Sequence, residues 1–114
     1  MGHYFATRRG ANHRRRYISR RMVEDPKAAY CPMCGSMMRF GGIEPMSMTV
    51  DHIIPTSEDP SLEKDEDNWW IVCRDCHNGP CQSIEERHKG YPEAIETAKR
   101  EYRRRRIGMD GWPV

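Results

Sequence analysis

The sequence predicts a small α+β domain stapled by a metal ion, and three observations predict it. Two Cys-x-x-Cys pairs, Cys31/Cys34 and Cys73/Cys76, bracket the dipeptide Asp51-His52. Residues 46–51 alternate apolar and polar side chains with the period of a strand, and the stretch after Pro92 carries apolar residues at helical spacing. The chain has 114 residues, 37% hydrophobic and 32% charged, which fits one soluble domain with a thin core. Domains with a folded core below about 70–80 residues bury too little apolar surface for comfortable stability and commonly need a staple. Four cysteines in paired spacing supply one.

Residues 1–13 lack apolar periodicity and read as a flexible basic arm. A single domain is expected over residues 14–108, beginning with a helix over 14–29 that places Tyr17, Ile18, Met22 and Val23 on one side and is interrupted by Pro26. Cys31-Pro32-Met33-Cys34-Gly35 reads as a knuckle, with Gly35 relieving the backbone as two thiolates converge. Residues 37–40 and 46–51 read as a hairpin around Gly41-Gly42 and Pro45. In its second strand Met46, Met48 and Val50 share one face, while Ser47, Thr49 and Asp51 share a polar face that ends at Asp51.

Pro55 ends regular pairing, an acidic loop runs to Asn68, and Trp69-Trp70-Ile71-Val72 is core leading into the second cysteine pair. A final basic helix is expected over about residues 91–107. Pro92 suits its first turn, Glu93 and Glu96 complement its positive end, Arg103 through Arg106 complement its negative end, and Gly108 stops it. Tyr91, Ala94, Ile95, Ala98 and Tyr102 form its apolar stripe, and residues 109–114 are a tail.

Five cysteines admit a disulfide or redox reading as well as a metal one. Met1-Gly2-His3-Tyr4 starts no apolar signal region, and no stretch approaches the ~18 apolar residues of a membrane span. The expected setting is therefore intracellular and reducing, where such pairs are more often zinc sites than bridges. Cys81 is left over as a free thiol.

The net charge of +2 is unevenly distributed. Arg8, Arg9, Arg14, Arg15, Arg16, Arg20 and Arg21 crowd the first 21 residues without an acid. A second basic group comprises Arg87, Lys89, Lys99, Arg100, Arg103, Arg104, Arg105 and Arg106, and Glu58, Asp59, Glu63, Asp65, Glu66 and Asp67 lie between the two. Basic ends around a metal core make a footprint for a polyanion, with solvated helix faces as the bland alternative.

Cys31-Pro-Met-Cys34-Gly, Val50-Asp51-His52-Ile53-Ile54-Pro55, Asn68 and Cys73-Arg-Asp-Cys76-His77-Asn78 together resemble the HNH endonuclease family, a ββα-metal nuclease fold, in its four-cysteine zinc form. The resemblance covers residues 31–78, and the chain's size is similar to that of stand-alone HNH proteins of bacteriophages. It implies metal-dependent cutting or nicking of DNA to 5′-phosphate and 3′-hydroxyl ends. It also implies His52 as general base, Asp51 and His77 as ligands of one Mg²⁺ or Mn²⁺, and Asn68 orienting the His52 loop. Each residue has a plainer alternative: a surface histidine, a strand-end carboxylate, a bystander beside a zinc cysteine, and a turn cap.

The family's last helix normally continues past the final motif position with a basic residue nearby, whereas Asn78-Gly79-Pro80 follows here and is expected to shorten or kink it. His88 or Asn78 could then replace His77, and Arg74, Arg87 or Lys89 could contact phosphate. Arg14, Arg15, Arg16 and Arg103 through Arg106 are the other nucleic-acid candidates. The competing functions are a non-catalytic zinc module that binds nucleic acid and an adaptor in a phage assembly such as the packaging machinery.

Overall fold

Thr7, not Arg14, begins the first long helix. In the computed structural model, which describes residues 4–103, helix α1 spans Arg8–Glu24 and follows a short 3-10 turn at Tyr4–Ala6. The Thr7 hydroxyl accepts the Gly10 N–H at 3.0 Å and donates to the Tyr4 carbonyl at 2.6 Å, so one side chain caps the helix and ties the preceding turn to it. The expected arm and helix are corrected at both ends. Gly10, Tyr17 and Ile18 form one buried face that reaches back to the first turn, and Asp25 ends α1 and caps a separate 3-10 turn, Pro26–Ala29. Pro26 opens that turn, where a missing N–H has no partner to lose.

The sheet pairs β1 (Met48–His52) with β2 (Trp69–Cys73), antiparallel and in register from Met48 opposite Cys73 to His52 opposite Trp69. The expected hairpin is thereby corrected. Residues 37–40 contribute only the isolated bridges Tyr30–Met37 and Arg39–Ser47, and Met37 and Phe40 stay exposed. Gly41 and Gly42, at φ +85° and +86°, turn the connection away from a ladder. The large β-forming side chains of Trp69, Ile71 and Val72 bury instead and take β1 as partner. Both faces of β1 are covered: Thr49 and Asp51 on its polar side are buried along with Met48 and Val50.

Beyond β2 the chain continues through α2 (Arg74–Cys76), a π-helical turn (His77–Cys81) and α3 (Gln82–Arg87). Gly79 and Pro80 do not break this run. The wide π turn holds Pro80 inside it, a geometry that tolerates a residue without an N–H.

Helix α4 spans Pro92–Glu101, with Tyr102 extended at its C-cap, and so ends before the expected residue 107. Its stripe is also corrected. Ile95 is buried but Tyr91 is exposed, and Lys99 takes a buried place on the face that Ile95 occupies. Arg104, Arg105, Arg106, Gly108 and the tail lie outside the described residues.

The core gathers Tyr17 and Ile18 of α1, Val50, Trp69, Ile71 and Val72 of the sheet, Ile84 and Ile95 of the last helices, and the cysteines. The Tyr17 hydroxyl donates to the Trp69 carbonyl at 3.0 Å and fastens α1 over β2. Among the described residues no helix is long and apolar enough to cross a membrane.

Candidate active site

Cys31, Cys34, Cys73 and Cys76 are buried with their sulfurs within 4.8 Å of one another, and none forms a disulfide. Gly35 at φ +77° lets its N–H reach the Cys31 carbonyl at 2.7 Å, which closes the first knuckle. In the second, Cys73 Sγ caps α2 by accepting the Cys76 N–H at 3.3 Å, and the Cys73 N–H reaches Cys31 Sγ at 3.4 Å. The Cys34 and Cys73 sulfurs stand 3.8 Å apart. Tetrahedral Zn–S bonds of about 2.3 Å separate ligand sulfurs by about 3.8 Å, so the cluster fits a zinc ion. Crowding drives the proton affinities apart: bonds from Cys73 and Cys76 hold the Cys31 thiol far below its ordinary value, and the bond to Cys31 pushes Cys76 far above. A dication relieves that concentration of negative charge.

The second cluster lies three register steps along the sheet from the Met48–Cys73 pair. Asp51 lies opposite Trp70, whose indole N–H donates to Asp51 Oδ2 at 2.8 Å. His77, in the first position of the π turn, brings Nδ1 to 3.0 Å from Asp51 Oδ1. Cis ligands of an octahedral ion at about 2.1 Å lie about 3.0 Å apart, so this pair fits a hard divalent ion sharing both atoms. Burial opposes ionisation of Asp51. The His77 hydrogen bond, the Lys99 charge and the Trp70 N–H outweigh it and hold the carboxyl below its usual range.

His52 follows at the end of β1. Its Nε2 is 2.8 Å from the Glu63 carbonyl, which also accepts the Trp69 indole N–H at 3.0 Å. A carbonyl only accepts, so the neutral imidazole carries its proton on Nε2 and keeps its lone pair on Nδ1. The Phe5 ring stacks on His52 at 5.1 Å between centroids, with 23° between planes, and Trp69 meets the imidazole edge-on at 6.1 Å. Asn68 grips the backbone just beyond: its Oδ1 accepts the Ile54 N–H at 2.9 Å and its Nδ2 donates to the Ile54 carbonyl at 2.8 Å.

Asp51, His52 and His77 line one open cleft of about 560 Å³ with Phe5, Arg14, Arg74, Asn78 and Glu85. Of the described basic residues singled out in the sequence, only Arg14 and Arg74 line it. Arg15 and Arg16 border a separate surface hollow on α1, Lys89 borders another beside Glu58, and Arg103 donates to the Arg100 and Tyr102 carbonyls. Arg87 and His88, at the end of α3, line none of these hollows.

The acidic loop is docked as well as solvated. Glu66 pairs with His13 at 2.7 Å and with Arg20, and the Glu63 carboxylate accepts the Tyr4 N–H at 3.0 Å.

Sequence reasoning missed Phe5, Trp70, Glu85 and Lys99. Phe5 falls in the segment that lacks apolar periodicity, and a hairpin of residues 37–40 with 46–51 leaves no place for Trp70 opposite Asp51. Lys99 left a trace: it falls four residues after Ile95 and so on the helix's core face, where a charge demands a partner.

Residues 31–79 match the family model described as HNH endonuclease. That segment holds both cysteine pairs, Asp51, His52, Asn68 and His77 and leaves out α1, α3 and α4. No curated protein and no solved structure matches the chain.

Proposed function

We propose, from the HNH endonuclease domain that residues 31–79 match, that the protein is a metal-dependent DNA endonuclease with a structural zinc in its four-cysteine cluster. His52 acts as general base, Asp51 and His77 hold one Mg²⁺ or Mn²⁺, and Asn68 positions the strand end that carries His52. The observation that carries this reading is the fixed ring of His52. Its Nε2–H is committed to the Glu63 carbonyl, so Nδ1 is left as the basic atom of a ring that lines the same cleft as Asp51 and His77.

Hydrolysis needs a proton removed from water, charge stabilised on a five-coordinate phosphate, and a neutralised leaving oxygen. His52 Nδ1 takes the proton as the water oxygen bonds to phosphorus and the bond to the 3′ oxygen breaks, and the departing 3′ oxygen takes a proton from solvent, giving a 5′-phosphate and a 3′-hydroxyl. Asp51 and His77 would hold the divalent ion, which would supply positive charge to offset the charge that develops as the phosphodiester breaks. Arg14 and Arg74, on the cleft wall, offer phosphate contacts. A setting inside a phage-infected bacterium accords with the resemblance to small phage HNH proteins.

The test is incubation of zinc-loaded protein with supercoiled plasmid under Mg²⁺ or Mn²⁺, followed by end-group analysis. Metal-dependent nicks with ligatable 5′-phosphates support the assignment. Binding without cleavage across metals transfers the protein to the nucleic-acid-binding alternative. That alternative has one observation in its favour: Asp51 is already engaged by three donors.

A further inference from the structure

Lys99 is buried to 0% exposure, and all three of its ammonium bonds end at the site. Its Nζ donates to Asp51 Oδ2 at 3.0 Å, to the His52 carbonyl at 2.8 Å and to Glu85 Oε2 at 2.6 Å. We propose that Lys99 is a positioning residue of the active site, so that the functional unit extends beyond the HNH segment to α4. It fixes which oxygen Asp51 turns to the ion and holds the main chain that carries the base. This inference rests on the nuclease reading above.

Lys99 and Trp70 both donate to Oδ2 of Asp51, which commits that oxygen on the side away from His77. Oδ1 alone then faces His77, so Asp51 offers the divalent ion one oxygen instead of a chelating pair. The same ammonium pins the His52 carbonyl, giving base and ligand a common anchor. Glu85 lies on the cleft wall and balances the second half of the charge, since one amine between two carboxylates leaves the trio at net −1.

Stability alone does not demand this arrangement. Burying a lysine requires stripping its water, and buried ion pairs replaced by well-packed apolar groups often leave a protein as stable or more so. Nor does Lys99 contact substrate, because none of its surface reaches solvent. A phosphate-binding lysine would be exposed.

The test compares zinc-loaded wild type, Lys99→Met and the double variant Lys99→Met/Glu85→Gln, which restores the trio's net charge of −1. Mn²⁺ binding is measured by calorimetry, and plasmid cleavage is expressed per folded, zinc-containing molecule. Lys99→Met removes a cation beside Asp51, so Mn²⁺ should bind about tenfold tighter, whereas kcat should fall about 100-fold with KM for DNA little changed. In the double variant Mn²⁺ affinity should return towards wild type while kcat stays low, because the pinning is still absent.

The double variant decides the matter if Lys99→Met alone does not fold. Wild-type kcat in the double variant at saturating Mn²⁺, or unchanged Mn²⁺ affinity in Lys99→Met, overturns the inference and leaves Lys99 as a core ion pair. Absence of cleavage by the wild type overturns the nuclease reading instead, and the Mn²⁺ titrations still decide the role of Lys99.

Discussion

At the scale of single residues, the proposed roles divide by partner. His52 Nε2 is held by the Glu63 carbonyl and Asp51 Oδ2 by Trp70 and Lys99, while Asp51 Oδ1 and His77 Nδ1 bond each other; on the proposed reading His52 Nδ1 is the base and the Asp51–His77 pair exchanges that bond for an ion. Substitutions should therefore fail differently. Asp51→Ala and His77→Ala should weaken Mn²⁺ binding in calorimetry, while His52→Ala should leave it within about twofold, since His52 takes no part in ligation. Asn68→Ala removes two bonds to the Ile54 backbone. At about 1 kcal/mol net per bond, urea denaturation should show a loss of about 2 kcal/mol, with cleavage reduced as the strand end loosens.

The buried trio also predicts a pH profile. Burial works against the Lys99 charge, but Asp51 and Glu85 more than offset it and raise its pKa above the ordinary 10.5. Its contribution to stability is then complete below pH 10.5 and lost as pH rises through the higher folded value. Asp51, lowered from 3.8, contributes above that pH and loses its contribution as pH falls through the lower folded value. The trio should leave stability flat across neutrality. Urea midpoints measured into the alkaline range should fall for the wild type and fall less for Lys99→Met.

At the scale of elements, the legible parts were those whose signal is local. The two knuckles follow from Cys-x-x-Cys spacing with Gly35, the strand at Met48–His52 from alternation, and the start of α4 from Pro92. What failed depended on partners distant in sequence. Residues 37–40 have strand composition, but whether they pair with 46–51 depends on Trp69–Cys73 competing for the same edge, which no local pattern records. The start of α1 was hidden because its first turns bury Gly10 under the Tyr4 carbonyl instead of an apolar side chain.

That close approach makes the N-terminal turn testable. A Cβ at Gly10 would stand 1.8 Å from the Tyr4 oxygen, a backbone atom that must move. Gly10→Ala should keep α1, which alanine favours, but displace Tyr4–Ala6 and lift Phe5 from His52. Loss of ring-current shifts at His52 in NMR spectra would register this, and an unshifted His52 would show that the turn does not hold the ring.

At the scale of the whole molecule, the four-cysteine cluster joins what the chain separates: Cys31 and Cys34 precede the sheet, Cys73 ends it and Cys76 follows in α2. With so thin a core, metal binding and folding should be one equilibrium. Chelation should unfold the domain by circular dichroism, and Cys73→Ser should lose zinc. Cys81→Ser should keep it, because the buried Cys81 packs its sulfur 3.4 Å from Met33 outside the cluster. Zinc retained after Cys73→Ser with the fold intact would contradict the staple.

The central claim joins that scaffold to one reacting atom, Nδ1 of His52. It is tested most directly by cleavage of supercoiled plasmid in Mg²⁺ or Mn²⁺, comparing wild type with His52→Ala at equal zinc content and matched circular dichroism. The account predicts nicking by the wild type and a loss of at least about 100-fold in the variant. Equal cutting by the two proteins would contradict it and remove His52 from the chemistry.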